Sequence, residues 1–107
     1  MNTIPFTKNS IRVDLIVGDA IEVRIRAAGR SHIATVNMAE YDGPAEMLVA
    51  VITDYIASSL PFGHADVADF VELRSIMQAH HQLGVDGFPF RPLLQAGWQF
   101  PLDLAAA

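Results

Sequence analysis

Two neighbouring stretches alternate between apolar and polar residues, and this alternation constrains the fold more than any other feature of the chain. In residues 11–17 and again in residues 21–27, every second side chain is apolar. A period of two with one apolar face predicts antiparallel strands that bury one side. Gly18 and Asp19 lie between the two stretches and indicate a hairpin.

The apolar faces also predict the register of this hairpin, because a shift of one residue turns a strand's apolar side chains to the opposite face. With Val17 opposite Ile21, the apolar rows of the two strands coincide. The same register places Asp14 opposite Arg24 on the polar face. We therefore predict a three-residue loop, 18–20, between the strands.

The rest of the chain predicts a third strand and two helices. Residues 31–37 follow a turn at Gly29 and continue the sheet as a meander, although their alternation is too weak to show which face is buried. Apolar side chains recur at steps of three and four residues in 44–60 and 65–83, the spacing of amphipathic helices. Pro44 suits the first position of the first helix.

We therefore expect an α+β fold in a single domain of residues 1–107. The two helices are expected to pack on the apolar face of a three-stranded antiparallel sheet. Residues 85–107 are expected to form an irregular C-terminal arm, because glycines and prolines interrupt any long helix there. The residues before the first strand, including Lys8, are expected to be mobile.

The composition favours a compact chain that associates with a partner. Apolar residues make up 51% of the chain and charged residues only 18%, which excludes a disordered chain. That apolar share is more than a small domain buries easily. The net charge is −5, and all of this excess lies in residues 44–107. Such a charge argues against nucleic acid and anionic membranes, so the expected partner is a second copy or another protein.

The C-terminal arm is the strongest indication of a binding surface. Four of the nine aromatic side chains lie within residues 88–100. The arm either folds back onto its own domain or fills pockets on a second copy or a different protein, and the sequence favours neither. Trp and Arg are frequent anchors of protein interfaces. The candidate partner-binding residues are Phe88, Phe90, Arg91, Trp98 and Phe100.

Histidines of the predicted second helix are the candidates for a metal or ligand site. His80 and His81 flank the apolar stripe of that helix, and His64 lies at its entry, about 24 Å from His80 at the helical rise. A metal there would need further ligands from His32, from the arm or from a second subunit. We expect these histidines to pack partly buried against the core with a hydrogen-bonded ring nitrogen, with a metal site as the alternative, and we expect no cofactor.

The polar face of the hairpin is a second candidate site. The predicted register gathers Arg12, Arg24 and Arg26 on this face. It is either an anion-binding or acid-binding surface, or a solvated face with ion pairs across the strands. These strands carry no aromatic side chains for base stacking, so we expect no nucleic-acid partner.

No residue pattern in the chain indicates catalysis. The serines lie outside a nucleophile elbow, the glycines at turns do not form a phosphate-binding loop, and cysteine is absent. We therefore expect a non-catalytic protein–protein interaction domain that self-associates, of the kind found in small bacterial or phage accessory proteins and inhibitors. The alternative is a small enzyme or a metal-binding or ligand-binding domain that uses the histidines of the second helix. No leader peptide and no membrane-spanning segment is visible, so we expect a cytoplasmic location.

Overall fold

Four strands and three α-helices make up the part of the chain that the structure describes, which is residues 2–18, 20–58, 65–84 and 88–100 of a computed structural model. This confirms the predicted α+β class. The strands are β1 (Asn2–Lys8), β2 (Ile11–Val17), β3 (Ile21–Ala27) and β4 (Arg30–Val36), in one antiparallel sheet of order β1-β2-β3-β4. The helices are α1 (Pro44–Ser58), α2 (Val67–Gln82) and α3 (Phe90–Gln95), with a 3₁₀ turn at Met38–Glu40 before α1.

The β2–β3 hairpin has the predicted strands and the predicted register. Val17 lies opposite Ile21, and Asp14 lies opposite Arg24. β2 ends at Val17 and β3 begins at Ile21, as predicted; within the predicted loop 18–20, Asp19 lies outside the described residues. The apolar side chains of both strands are buried at alternate positions, because only this register directs both apolar rows to one face.

The sheet has a fourth strand that the alternation pattern did not predict. β1 pairs with β2 over its whole length, from Asn2 opposite Val17 to Lys8 opposite Ile11. The expectations of three strands and of a mobile start are therefore wrong. Pro5 interrupts the strand pattern, but proline is accepted on an edge strand, where one side of the backbone needs no partner.

β4 follows β3 through a two-residue turn at Ala28 and Gly29. Both residues have positive φ, 55° and 71°, as a type I′ hairpin turn requires. β4 begins at Arg30, one residue before the predicted start, and ends at Val36. It is the last strand in the sheet order, so it is an edge strand like β1.

The chain forms two compact units, and the prediction of a single domain stays a prediction. The first unit contains residues 1–37 and 90–107, and the second contains residues 38–89. In the first unit, residues after α3 contact β1 through a bridge between Thr7 and Gln99, with N–O distances of 3.0 and 2.8 Å. The described part of the predicted irregular arm thus contains a six-residue helix and a β-bridge. Residues 85–87 and 101–107 of the arm lie outside the described ranges.

The second unit is built on α1 and α2. α1 begins at Pro44 as predicted and is described to Ser58, while its predicted end falls in 59–64, outside the described residues. The rings of Tyr55 on α1 and Phe70 on α2 are 5.0 Å apart. No helix in the described ranges combines the length and the apolar character needed to cross a membrane. The buried side chains of the two helices are Ala45, Met47, Leu48, Val51, Ile52, Tyr55, Phe70, Leu73 and Met77.

Candidate functional site

Aromatic side chains of the predicted arm form a cluster beside β1. The ring of Phe6 lies 5.4 Å from that of Trp98 in an edge-to-face arrangement and 5.5 Å from that of Phe100. Phe90 meets Phe100 edge-to-face at 4.9 Å. Phe6 is fully buried and Trp98 is 1% exposed, so the tryptophan contributes to the core of its own unit rather than to a free surface.

The five predicted partner-binding residues therefore differ in their surroundings. Phe90 and Phe100 are half-buried in the aromatic cluster of the first unit, and Arg91 is exposed on α3. Phe88 is half-buried in the second unit. The partner role of this set stays a prediction, and Arg91 is its most exposed member.

The three arginines predicted on the polar face lie there, and two of them pair with acids along their own strand. Nε of Arg12 donates to both carboxylate oxygens of Asp14, at 3.2 and 3.1 Å. Arg24 pairs in the same way with Glu22, while Arg26 is exposed. The hydrogen bond and the charge of Asp14 raise the pKa of Arg12, against a small opposing effect of burial. Exposed pairs of this kind stabilise the fold by less than about 1 kcal/mol.

The outer edge of β4 borders this polar face. A depression of about 200 Å³ is lined by residues of β2, β3 and β4. Among the described residues, no strand or bridge occupies the outer side of β4. The depression is lined by Asp14, Arg24, Ile25, Arg26, Ser31, His32 and Ile33.

The turn at Ala28 and Gly29 determines which backbone groups of β4 face outward. In a hairpin with a two-residue loop the closing pair is hydrogen-bonded, and such pairs then alternate along the strands. The closing pair is Ala27 and Arg30, so even-numbered residues of β4 bond to β3. The amide and carbonyl groups of Ser31, Ile33 and Thr35 therefore point away from the sheet, and all three residues are exposed.

The other edge of the sheet, along β1, is less able to pair with a further strand. The same rule, applied to the pair Lys8 and Ile11, directs the backbone of Thr3, Pro5 and Thr7 outward from β1. Pro5 has no amide hydrogen to offer, and Thr7 is already bonded to Gln99. The two edges of one sheet thus differ in their ability to accept another strand.

A cluster of two acids and a histidine lies in the second unit. His81 is on the last turn of α2, Glu46 is on the first turn of α1, and Asp42 precedes α1. One potential ligand atom from each lies within 4.8 Å of the other two. Nε2 of His81 is 3.6 Å from a carboxylate oxygen of Glu46, and that oxygen accepts the backbone N–H of Asp42 at 3.0 Å.

The sequence predicted only one member of this cluster. His81 was a candidate ligand, whereas His80 is not part of the group and His64 lies outside the described residues. Asp42 and Glu46 were missed because their contact with His81 depends on how the two helices pair. An antiparallel helix pair brings the start of the first helix near the end of the second, and this geometry is the signal that would have found them.

No family model, curated protein or solved structure matches this chain. The function must therefore be inferred from the chain's own surfaces. Two of these surfaces have a definite chemistry, namely the outer edge of β4 and the cluster of Asp42, Glu46 and His81.

Proposed function

We propose that this chain is a non-catalytic protein–protein interaction domain, of the accessory or inhibitor type, that associates with a second copy of itself through the outer edge of β4. The observation that carries the proposal is that this seven-residue strand lacks the features that usually prevent an edge strand from pairing with another strand. Edge strands that stay unpaired are usually interrupted by lysine, proline or a bulge. From Ser31 to Val36, β4 contains none of these, and its register with β3 is continuous.

A two-fold axis through Ile33 would join two copies of β4 in an antiparallel pair. The outward-facing backbone groups lie at Ser31, Ile33 and Thr35, so this register uses all of them in about six hydrogen bonds. Ile33 then lies opposite Ile33 of the second copy, and Ser31 lies opposite its Thr35. Because the same patch serves both copies, the contact is closed by symmetry.

The side chains of β4 are complementary to themselves in this register. Ile33 is 57% exposed, and pairing with its own copy would remove apolar surface from water. The hydroxyl groups of Ser31 and Thr35 would meet, a favourable cross-strand pair. Arg30, the charged residue at the start of β4, would lie opposite Val36 of the second copy, so the two arginines would not face each other. The self-complementarity supports a second copy over an unrelated protein as the occupant.

The first prediction is that association depends on concentration and on the centre of β4. Light scattering coupled to size-exclusion chromatography should show a dimer fraction that grows from low to high micromolar protein. Ile33→Lys places like charges opposite each other and should weaken dimerisation by at least about tenfold. Thr35→Pro removes an outward N–H that β3 does not use, and it should weaken dimerisation as well.

Leu83→Lys is the matched control, because Leu83 is an exposed apolar residue outside the sheet, at 76% exposure. This variant should dimerise like the wild type. A wild type that stays monomeric at high micromolar concentration contradicts the proposal, and so does an Ile33→Lys variant that dimerises normally. Loss of association in Arg91→Ala, with Ile33→Lys unaffected, would instead assign the interface to the C-terminal arm.

A further inference from the structure

We propose that Asp42, Glu46 and His81 bind one divalent cation of the zinc class, and that this ion links the start of α1 to the end of α2. The site lies wholly within the second unit. It is independent of the β4 edge, so the two proposals can fail separately.

The pairing of the two helices positions the three side chains. Tyr55 near the end of α1 contacts Phe70 near the start of α2. At the opposite ends, Glu46 near the start of α1 contacts His81 in the last turn of α2. Contacts at both ends make the helices antiparallel. Asp42 joins the group because it lies two residues before Pro44 and its backbone N–H donates to Glu46 Oε2.

The distances suit a single ion after small side-chain movements. In a tetrahedral site with bonds of about 2.1 Å, ligand atoms lie roughly 3.4 Å apart. The separation between His81 Nε2 and Glu46 Oε2 is 3.6 Å, close to that value. The largest separation in the group is at most 4.8 Å, so ligand atoms have to approach one another by no more than about 1.4 Å. Asp42 is exposed and the side chain of Glu46 is 35% exposed, so the surrounding protein leaves space for this movement.

The carboxylate of Glu46 is already oriented toward the site. Its Oε2 atom accepts the backbone N–H of Asp42 at 3.0 Å. A carboxylate has about four acceptor positions on its two oxygens, so it can accept this hydrogen bond and still ligate a cation. Hydrogen bonds of this kind fix the direction of metal ligands and are part of their affinity.

The ligand types select the class of cation. One imidazole nitrogen with two carboxylates suits zinc and its neighbours in the first transition row, whereas calcium and magnesium prefer sites made of oxygen alone. The side chains of His81 and Glu46 are 38% and 35% exposed, so an ion can enter from solution. Two carboxylates within 4.8 Å of each other repel, and a bound cation would remove that repulsion.

Titration of the untagged chain of residues 1–107 with zinc chloride tests the site. Isothermal titration calorimetry and competition with a chromophoric chelator should both show one ion per chain. Zinc should also raise the melting temperature of the wild type, because an ion that binds only the folded state stabilises it. Magnesium and calcium at the same concentrations should produce neither effect.

Two conservative variants and one matched control locate the ion. His81→Gln and Glu46→Gln each remove one ligand while keeping a similar shape, and each should weaken zinc binding by at least about tenfold. His80→Gln changes the neighbouring histidine on the same helix and should bind zinc like the wild type. Far-UV circular dichroism of each variant without zinc checks that the helices are retained.

The proposal is overturned if folded wild-type protein binds no zinc up to high micromolar concentration, or if His81→Gln binds it normally. It is also overturned if His80→Gln loses binding while Glu46→Gln retains it, since the ion would then lie elsewhere. Ile33→Lys should bind zinc normally, which separates this result from the self-association experiment.

Discussion

At the scale of single residues, two turns of the first unit contain residues with positive φ, a backbone conformation that is unfavourable for residues with a Cβ atom. Gly97 has φ 96°, and the backbone N–H groups of Gly97 and Trp98 donate to the carbonyl oxygens of Leu94 and Leu93, which closes the end of α3. This glycine turns the chain so that Trp98 enters the core. Ala28 has φ 55° in the turn between β3 and β4, where an L-residue costs about 1–2 kcal/mol.

Ala28→Asn should therefore stabilise the protein by about 0.5–1 kcal/mol, because asparagine tolerates the left-handed region and favours type I′ turns. The change is measured as a rise in the urea midpoint with an unaltered slope.

Gly29→Ala is the matched opposite change, since Gly29 has φ 71° and a Cβ there would meet nothing within 4 Å. It should lower the free energy of unfolding by about 1 kcal/mol through backbone strain alone. A destabilising Ala28→Asn together with a neutral Gly29→Ala would contradict the turn geometry.

At the scale of elements, the strands with clear alternation were predictable, and the elements that depend on distant contacts were not. β2, β3 and their register follow from the pattern of side chains alone. β1 was not predicted because Pro5 interrupts the apolar–polar alternation of residues 2–8. The structure accepts this proline because β1 is an edge strand. The six-residue α3 is too short to be stable by itself; it packs in the first unit through buried Leu93 and the ring contact of Phe90 with Phe100.

The residues of the candidate sites were likewise predictable where they depend on local sequence and not where they depend on distant contacts. His81 was predictable from its place beside the apolar stripe, but Asp42 and Glu46 required the pairing of α1 with α2. The edge of β4 was not predicted as a site, since the alternation of residues 31–37 did not even show which face is buried. The arginines of the hairpin lie on the predicted face. Two of them, Arg12 and Arg24, pair with an acid two residues away on their own strand.

The aromatic cluster supplies a prediction at this scale. Trp98→Ala should lower the free energy of unfolding by about 3–5 kcal/mol, because it empties a buried volume beside Phe6. Trp98→Phe should cost clearly less. The indole N–H is buried without a hydrogen-bond partner among the described residues, and its removal offsets part of the lost packing. Urea unfolding followed by circular dichroism compares the two; equal losses would contradict this account.

At the scale of the whole molecule, the predicted single domain has a direct test. The chain's one tryptophan lies in the first unit, whereas α1 and α2 lie in the second. Tryptophan fluorescence therefore reports on the first unit, and the helical circular dichroism signal reports mainly on the second. One cooperative domain predicts coincident urea transitions for the two signals. Separate midpoints would show that the units unfold independently.

The unequal edges of the sheet also limit how far an assembly can grow. A sheet with two open sides can add copies without end and form fibres. Among the described residues, Pro5 and the bridge between Thr7 and Gln99 obstruct the edge at β1, so the outer side of β4 is the more open edge. If two molecules pair through β4 as proposed, the more open edge is used in both copies, and the assembly is expected to stop at a dimer.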